Sequence, residues 1–207
     1  MSKTYRGYTL EQVAKTIDHS ILKPDFTYAD VAAGAELALK YNTASYCIRP
    51  MDVAAAAKAL AGSSVNVCTV IGFPHGSTTT ATKAFETKDA IANGAVEIDM
   101  VMNVSAMLSG DFDFVEQDIR AVVEIAHAAG ASVKVIFETA FLNDEQIVKA
   151  CELTEKAGAE YVKTSTGFAS EGATVIVCDV KQAAINDAVQ QCQALGAQAL
   201  GFEIGRA

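Results

Sequence analysis

Short runs of alternating apolar and polar residues recur along the chain, and between them the apolar spacing switches to a helical period. Strands are expected near Ile17–Leu22, Ala44–Ile48, Val65–Phe73, Glu97–Asn103, Ser132–Glu138 and Tyr161–Thr166. Helical spacing fills Tyr28–Lys40, Val53–Leu60, Thr80–Ala92, Phe114–Ala129, Asp144–Ala157 and roughly Asp179–Leu195. Asn143, with Gln146 three residues on, is a capping-box-like helix start. Gly94-Ala95, Gly130-Ala131, Gly158-Ala159 and Gly196-Ala197 each end a helical run, where glycine suits a left-handed terminating residue. The first three lead directly into a strand, so the recurrence makes Gln198–Ile204 another strand and leaves about seven visible.

Connections of this length are helical crossovers, which join parallel strands. Two architectures fit: a (β/α) barrel and an open doubly wound sheet. The barrel is favoured, because charged residues recur inside consecutive strands and no glycine-rich dinucleotide fingerprint follows the first strand. No linker or low-complexity segment divides the chain, so a single domain over residues 1–207 is expected.

The charged positions carry the chemistry. Side chains alternate faces along a strand. Ile98, Met100 and Met102 therefore oppose Asp99, Val101 and Asn103. Val133, Val135 and Phe137 oppose Lys134, Ile136 and Glu138, and Lys163 shares a face with Ser165. Taken singly, an in-strand lysine with an aspartate nearby reads as a structural ion pair. An inward Asp99 with inward lysines on two further strands shifts the reading towards a site, since buried charges must be paired or shift their pKa. A lysine attacks a carbonyl only when neutral, so its pKa must fall through burial or a neighbouring cation. Lys163 beside small hydroxyl residues is a candidate imine-forming lysine, Lys134 its neighbouring cation, and Asp99 a proton relay acting with water.

Composition narrows the classes. The chain has 207 residues, a net charge of -9, five scattered cysteines and no tryptophan, with a pI near 4.8. Nucleic-acid binding and anionic membrane surfaces are not expected of so acidic a chain. No apolar run approaches the roughly 20 residues of a bilayer span, and no signal-like segment opens the sequence. Cys47, Cys68, Cys151, Cys178 and Cys192 show no metal-ligand spacing and read as reduced thiols of a cytoplasmic protein. No metal is expected. His19 lies at the end of the first strand, where a capping role and a site role are equally open. His75 reads as a turn residue, His127 as solvated, and Cys47 as core. The Ser/Thr/Gly-rich stretch 164–174 could cradle a phosphate with backbone N–H groups.

At these residues the chain resembles the deoxyribose-phosphate aldolase family. The matching runs are collinear over about residues 10–175. They are Ile17-Asp18-His19-Ser20-Ile21-Leu22-Lys23-Pro24, Val67-Cys68-Thr69-Val70-Ile71-Gly72-Phe73-Pro74, Lys83-Ala84-Phe85-Glu86-Thr87 and Glu97–Asn103, with Val133–Thr139 and Tyr161–Phe168. The resemblance implies a TIM-type barrel that converts 2-deoxyribose 5-phosphate to acetaldehyde and glyceraldehyde 3-phosphate through a lysine imine, with no cofactor. It implies Lys163 as the Schiff-base lysine and Asp99 as the proton-relay carboxylate. Asp18 and Lys134 match pocket-lining polar residues, Ser20 stands where the family usually has threonine, and Thr166 and Gly167 are assigned to substrate binding. After Val175 the match fails: the family's Lys-Ala-Ser-Gly-Gly motif, which carries a second lysine, and its final Gly-Thr-Ser-Ser strand are absent.

Residues 176–207 are therefore read as a divergent C-terminal part, and the barrel as incomplete there. Gln198–Ile204 is either strand seven or a degraded strand eight. Lys134 would then replace the missing lysine as the cation that lowers the pKa of Lys163. The partners implied are a phosphorylated sugar and aldehydes, and a second copy of the chain could cover open edges. The alternative is a catalytically impaired or truncated relative that keeps the fold and part of the pocket. A sugar-phosphate isomerase on the same barrel would need a carboxylate base at a strand end, for which Glu138 is the obvious candidate.

Overall fold

A computed structural model describes residues 4–5, 8–169, 175–179 and 199–203. A two-stranded antiparallel hairpin, β1 (Thr4–Tyr5) and β2 (Tyr8–Thr9), leads into α1 (Leu10–Ala14). Strands and helices then alternate: β3 (Asp18–Ile21), α2 (Tyr28–Tyr41), β4 (Ser45–Ile48), α3 (Val53–Ala59), β5 (Asn66–Ile71), α4 (Thr80–Ala92) and β6 (Glu97–Val101). After α5 (Val104–Leu108) and α6 (Phe112–Ala128) come β7 (Ser132–Ile136), α7 (Asp144–Ala157), β8 (Tyr161–Lys163), β9 (Val175–Asp179) and β10 (Ala199–Glu203).

β3 to β8 form one parallel sheet whose spatial order is the chain order. A doubly wound sheet needs a point where the strand order reverses. None exists in this six-stranded sheet, so the barrel topology holds. The roughly seven expected strands are all present, and β9 is one more. β9 and β10 pair with each other in parallel as a separate two-stranded sheet, Ala199 beside Val175, so that eight described strands run from β3 onwards. β10 falls on the expected Gln198–Ile204 and is the eighth of them, not the seventh. β9 occupies a short β-branched run, Val175-Ile176-Val177, that the broken family match had hidden. The helix expected from Asp179 overlaps the last residue of β9, and the rest of it lies outside the described residues.

Local signals set the boundaries. The Thr27–Asp30 and Asn143–Gln146 capping boxes start α2 and α7, each satisfying two backbone N–H groups. Asn42 and Gly158 end the same helices in the left-handed conformation. The sheet separates two apolar layers. Ile98, Met100, Met102, Val133, Val135 and Phe137 join Ile119, Val122 and Leu153 of the helices in the outer core. Cys47, Cys68 and Val70 form a smaller cluster on the other face. Inside strands read as alternating thus have their apolar sets against the helices, leaving the charged sets inward. Among the described residues no helix is long and apolar enough to cross a membrane.

Candidate active site

The parallel register brings the inward charges together. Asp99 of β6 sits directly opposite Lys134 of β7, and Lys163 of β8 lies beside Ile136, one inward position further along. Lys163 Nζ donates to Asp99 Oδ2 at 2.6 Å, and Lys134 Nζ donates to Asp99 Oδ1 at 3.2 Å. Lys134 also pairs with Glu97 and lies 3.6 Å from Asp18 Oδ2. Ser45 on β4 holds Asp18 from the other side, its hydroxyl donating to Oδ1 at 2.7 Å. Asp99 is fully buried, whereas 29% of the Lys163 side chain remains accessible. The Lys163 side chain is therefore partly open to solvent while its carboxylate partner is not.

The electrostatics follow from this packing. Burial favours the neutral amine of Lys163, but Asp99, with the Cys47 and Cys68 thiols behind it, outweighs burial and raises the pKa. Burial also opposes the charge on Lys134. Cys68 and the Asp99, Asp18 and Glu97 carboxylates outweigh it and keep this lysine cationic. The positive charge of Lys134 is thus engaged by three carboxylates, and Lys163 is shifted in the direction opposite to that expected from a neighbouring cation. Cys68 is held well above the ordinary thiol range by its contact with Cys47, by burial and by the charge of Asp99. Its Sγ lies 3.3 Å from Asp99 Oδ1. Cys47, Cys68 and Asp99 converge closely enough to hold a metal ion, although no linear spacing reveals it.

The family model described as DeoC/LacD family aldolase matches residues 12–207. The chain belongs to this family. It is 59% identical over 162 residues to a deoxyribose-phosphate aldolase of Bacillus cytotoxicus, covering 78% of this chain and 72% of that one. A deoxyribose-phosphate aldolase of Clostridium perfringens is 56% identical over 164 residues, 79% and 73% of the two chains. The solved structure of a provisionally named deoxyribose-phosphate aldolase from Coccidioides immitis superposes with a TM-score of 0.78 at 36% identity, covering 95% of this chain and 74% of that one. A deoxyribose phosphate aldolase from Aeropyrum pernix, described as having a unique tetrameric structure, superposes at 0.74 with 27% identity, over 94% and 79%. These DeoC/LacD relatives carry the TIM-type fold beyond the six-stranded sheet.

Around this charged cluster the remaining expected residues fall in different places. Asp18 joins the charged cluster. Ser20 follows two residues on, exposed on the same face of β3. His19 takes the opposite face, stacks on Tyr46 with ring centroids 5.6 Å apart, and is pushed down in pKa by burial. It stands outside the charged cluster. His75 is exposed in the loop after β5, and His127 pairs with Glu160 at 2.6 Å on the surface. Thr166 is buried. Its N–H donates to Glu138 at 3.2 Å, its hydroxyl also donates to Glu138, and it accepts from the Phe168 N–H at 3.1 Å. Within 164–174, the Thr166 and Phe168 N–H groups are therefore already engaged. Gly167 is exposed with φ +82 and nothing within 4 Å of where a Cβ would lie, so its backbone stays open to a ligand.

Glu97 and the Lys83–Asp118 pair are absent from the expected site residues, and Glu138 has a different role from the one expected. Glu97 lies two residues from Asp99 on the same face, a position that the alternation already marked. Glu138 is buried with φ 54, a left-handed conformation rare for a residue with a side chain, and it clamps Thr166 rather than standing free as a base. Lys83 of α4 and Asp118 of α6 form a fully buried ion pair at 2.5 Å, and Lys83 also donates to the Val101 carbonyl at 3.0 Å. Helical spacing gives no sign of this pair. It ties two helices to the end of the strand that carries Asp99.

Proposed function

We propose that the chain interconverts 2-deoxy-D-ribose 5-phosphate with acetaldehyde and D-glyceraldehyde 3-phosphate through an imine on Lys163. One observation carries the reading: a partly accessible lysine amine, on the last residue of the parallel strand β8, held 2.6 Å from the fully buried carboxylate of Asp99 on β6. The C-terminal end of a strand is where such barrels place their chemistry. The matched curated relatives bear this activity in their names. The reading of an impaired relative is not favoured, because the charged set of Asp18, Asp99, Lys134 and Lys163 is complete within the matched segment.

The residues account for the steps. Lys163 passes its proton towards Asp99, and the neutral amine adds to the C1 aldehyde of the open-chain sugar. Loss of water gives the imine. The cationic imine draws the electron pair of the C2–C3 bond as the C3 hydroxyl gives up its proton. Glyceraldehyde 3-phosphate leaves, and the remaining enamine is protonated at C2. Hydrolysis frees acetaldehyde and returns Lys163. Asp99, screened from bulk water and aimed at the amine, relays these protons with a water molecule. The imine itself is the electron sink, so the route needs no cofactor or metal. Lys134 and Asp18 line the sugar side of the pocket, Ser20 offers a hydroxyl, and Thr166 and Gly167 border the substrate's far end. The tetrameric A. pernix relative supports a homo-oligomer. Reduced inward thiols suit a cytoplasmic location.

Borohydride reduction in the presence of acetaldehyde tests the assignment. A single two-carbon adduct on the peptide containing Lys163 is expected, and Lys163→Met should lose it. An adduct on Lys134, or adducts spread over surface lysines, would reject the reading.

A further inference from the structure

Three soft or anionic donors from three neighbouring strands meet inside the sheet. Cys47 of β4 and Cys68 of β5 are register partners, and Asp99 follows on β6. Their sulphur and carboxylate oxygen atoms all lie within 4.8 Å of one another, and all three residues are buried. A tetrahedral ion bound through two sulphurs at about 2.3 Å and one oxygen at about 2.0 Å holds its donors roughly 3.5–3.8 Å apart. Small side-chain rotations span that difference. We infer that Cys47, Cys68 and Asp99 form a site for a thiophilic divalent cation of the zinc or cadmium class, and that its occupation shuts down the lysine chemistry. The inhibitory half rests on the imine reading above; the binding half does not.

Charge decides whether a dication is tolerated beside two ammonium groups. Asp18, Glu97 and Asp99 contribute three negative charges to the cluster, and Lys134 and Lys163 two positive ones, leaving a net charge of -1. Binding exchanges two thiol protons for one dication: two R–SH plus M²⁺ give (RS)₂M plus two H⁺. The net charge is unchanged, so the carboxylates still balance the lysines. Two thiolates select soft cations and discriminate against magnesium and calcium. Once an oxygen of Asp99 is ligated, that carboxylate no longer takes protons from Lys163. A packing role alone, with Cys47 and Cys68 beside Val70, Leu22 and Phe73, predicts no affinity for any ion.

The test is a cadmium titration of the reduced, metal-free full chain, followed by the thiolate-to-cadmium ultraviolet band and by proton release in unbuffered solution. One ion per chain and two protons per ion are expected. Loss of a ligand costs more than the roughly 10–100-fold typical of an outer-shell partner. Cys47→Ala and Cys68→Ala should therefore each weaken binding at least about 100-fold, while Cys151→Ala, Cys178→Ala and Cys192→Ala leave it unchanged. Should either core variant fail to fold, the proton count, the band and an ion-dependent rise in Tm of the unsubstituted chain decide the question. No band, fewer than two protons per ion, or a band lost with Cys178→Ala or Cys192→Ala overturns the site. Stoichiometric cadmium should abolish cleavage of 2-deoxyribose 5-phosphate, and a chelator should restore it. Full turnover with the ion bound overturns the inhibition. A metal-free chain that binds cadmium at this site but never cleaves the sugar sinks the imine reading and leaves the site standing.

Discussion

Asp99→Asn separates two things that a single buried carboxylate does here. The amide keeps the shape and removes the charge that Lys163 meets at 2.6 Å and Lys134 at 3.2 Å. The first effect is on protonation. Asp99 is foremost among the groups holding Lys163 above its ordinary pKa, while burial pulls the other way. Without Asp99, burial gains weight and the neutral amine persists to lower pH. Imine formation near pH 7 should hold or quicken, and its pH profile should move towards acid. The second effect is on proton transfer, which typically contributes about 10²–10⁴-fold. Steady-state cleavage should fall by that factor, about 3–5 kcal/mol of barrier. Stability should suffer less than the roughly 3–5 kcal/mol cost of stranding a buried charge. Lys134 keeps Glu97 and Asp18, and Lys163 is 29% exposed and can reach water. The assay pairs timed borohydride trapping with steady-state turnover and a melting curve. A trapping pH profile that does not move would refute the electrostatic effect, and turnover equal to the parent's would refute the relay role. A variant that turns over normally when folded, but unfolds readily, would make Asp99 an ion-pair partner and nothing more.

Lys134→Met leaves Asp18, Glu97 and Asp99 with Lys163 alone, so the pKa of Lys163 should climb further; activity should drop near pH 7 and partly return in alkali, and a flat ratio to the parent across pH would disprove it. Glu138→Gln should raise KM more than it lowers kcat by loosening the segment after Lys163, and Glu138→Gly, which suits the left-handed backbone but removes the clamp, should show the same kinetic defect; a normal KM in both would show that Thr166 needs no anchor. Lys83→Met should cost about 3–5 kcal/mol in denaturant unfolding, and adding Asp118→Leu should recover most of it, because the penalty lies in the stranded charge; no recovery would mean that the pair is irreplaceable packing.

Much of this arrangement could be read from alternation. β6 and β7 begin at the expected Glu97 and Ser132, and Asp99, Lys134 and Lys163 meet because a period of two puts them on one face. α4 and α7 match their expected bounds, since each has a side-chain cap and a helical apolar period. What escaped depends on contacts between segments distant in sequence. The Lys83–Asp118 pair spans 35 positions, and the Cys68–Asp99 contact 31. No local pattern encodes either. Glu138 was legible as a carboxylate at a strand end but not as a clamp, because its role comes from an unusual backbone conformation. β9 was missed for a different reason: a strand of five residues, four of them apolar, leaves too little periodicity to stand out once the flanking motifs diverge.

The charged set is spread over strands β3, β6, β7 and β8, one element at a time, and its long loops leave from the C-terminal ends of those strands. The turns that end the helices lie at the other end of the sheet. Gly130, at φ +75 with open space where a Cβ would be, is such a turn, between α6 and β7. The polypeptide there is a connector and not a wall of the pocket. Cutting the chain at Gly130 would separate the lysines from Asp18, Glu97 and Asp99 in sequence while leaving the order of neighbours in the sheet unchanged, so two fragments meeting through β6 and β7 would rebuild the site at their seam. The fold is thus open to split-reporter design, in which imine formation signals that the halves have found each other.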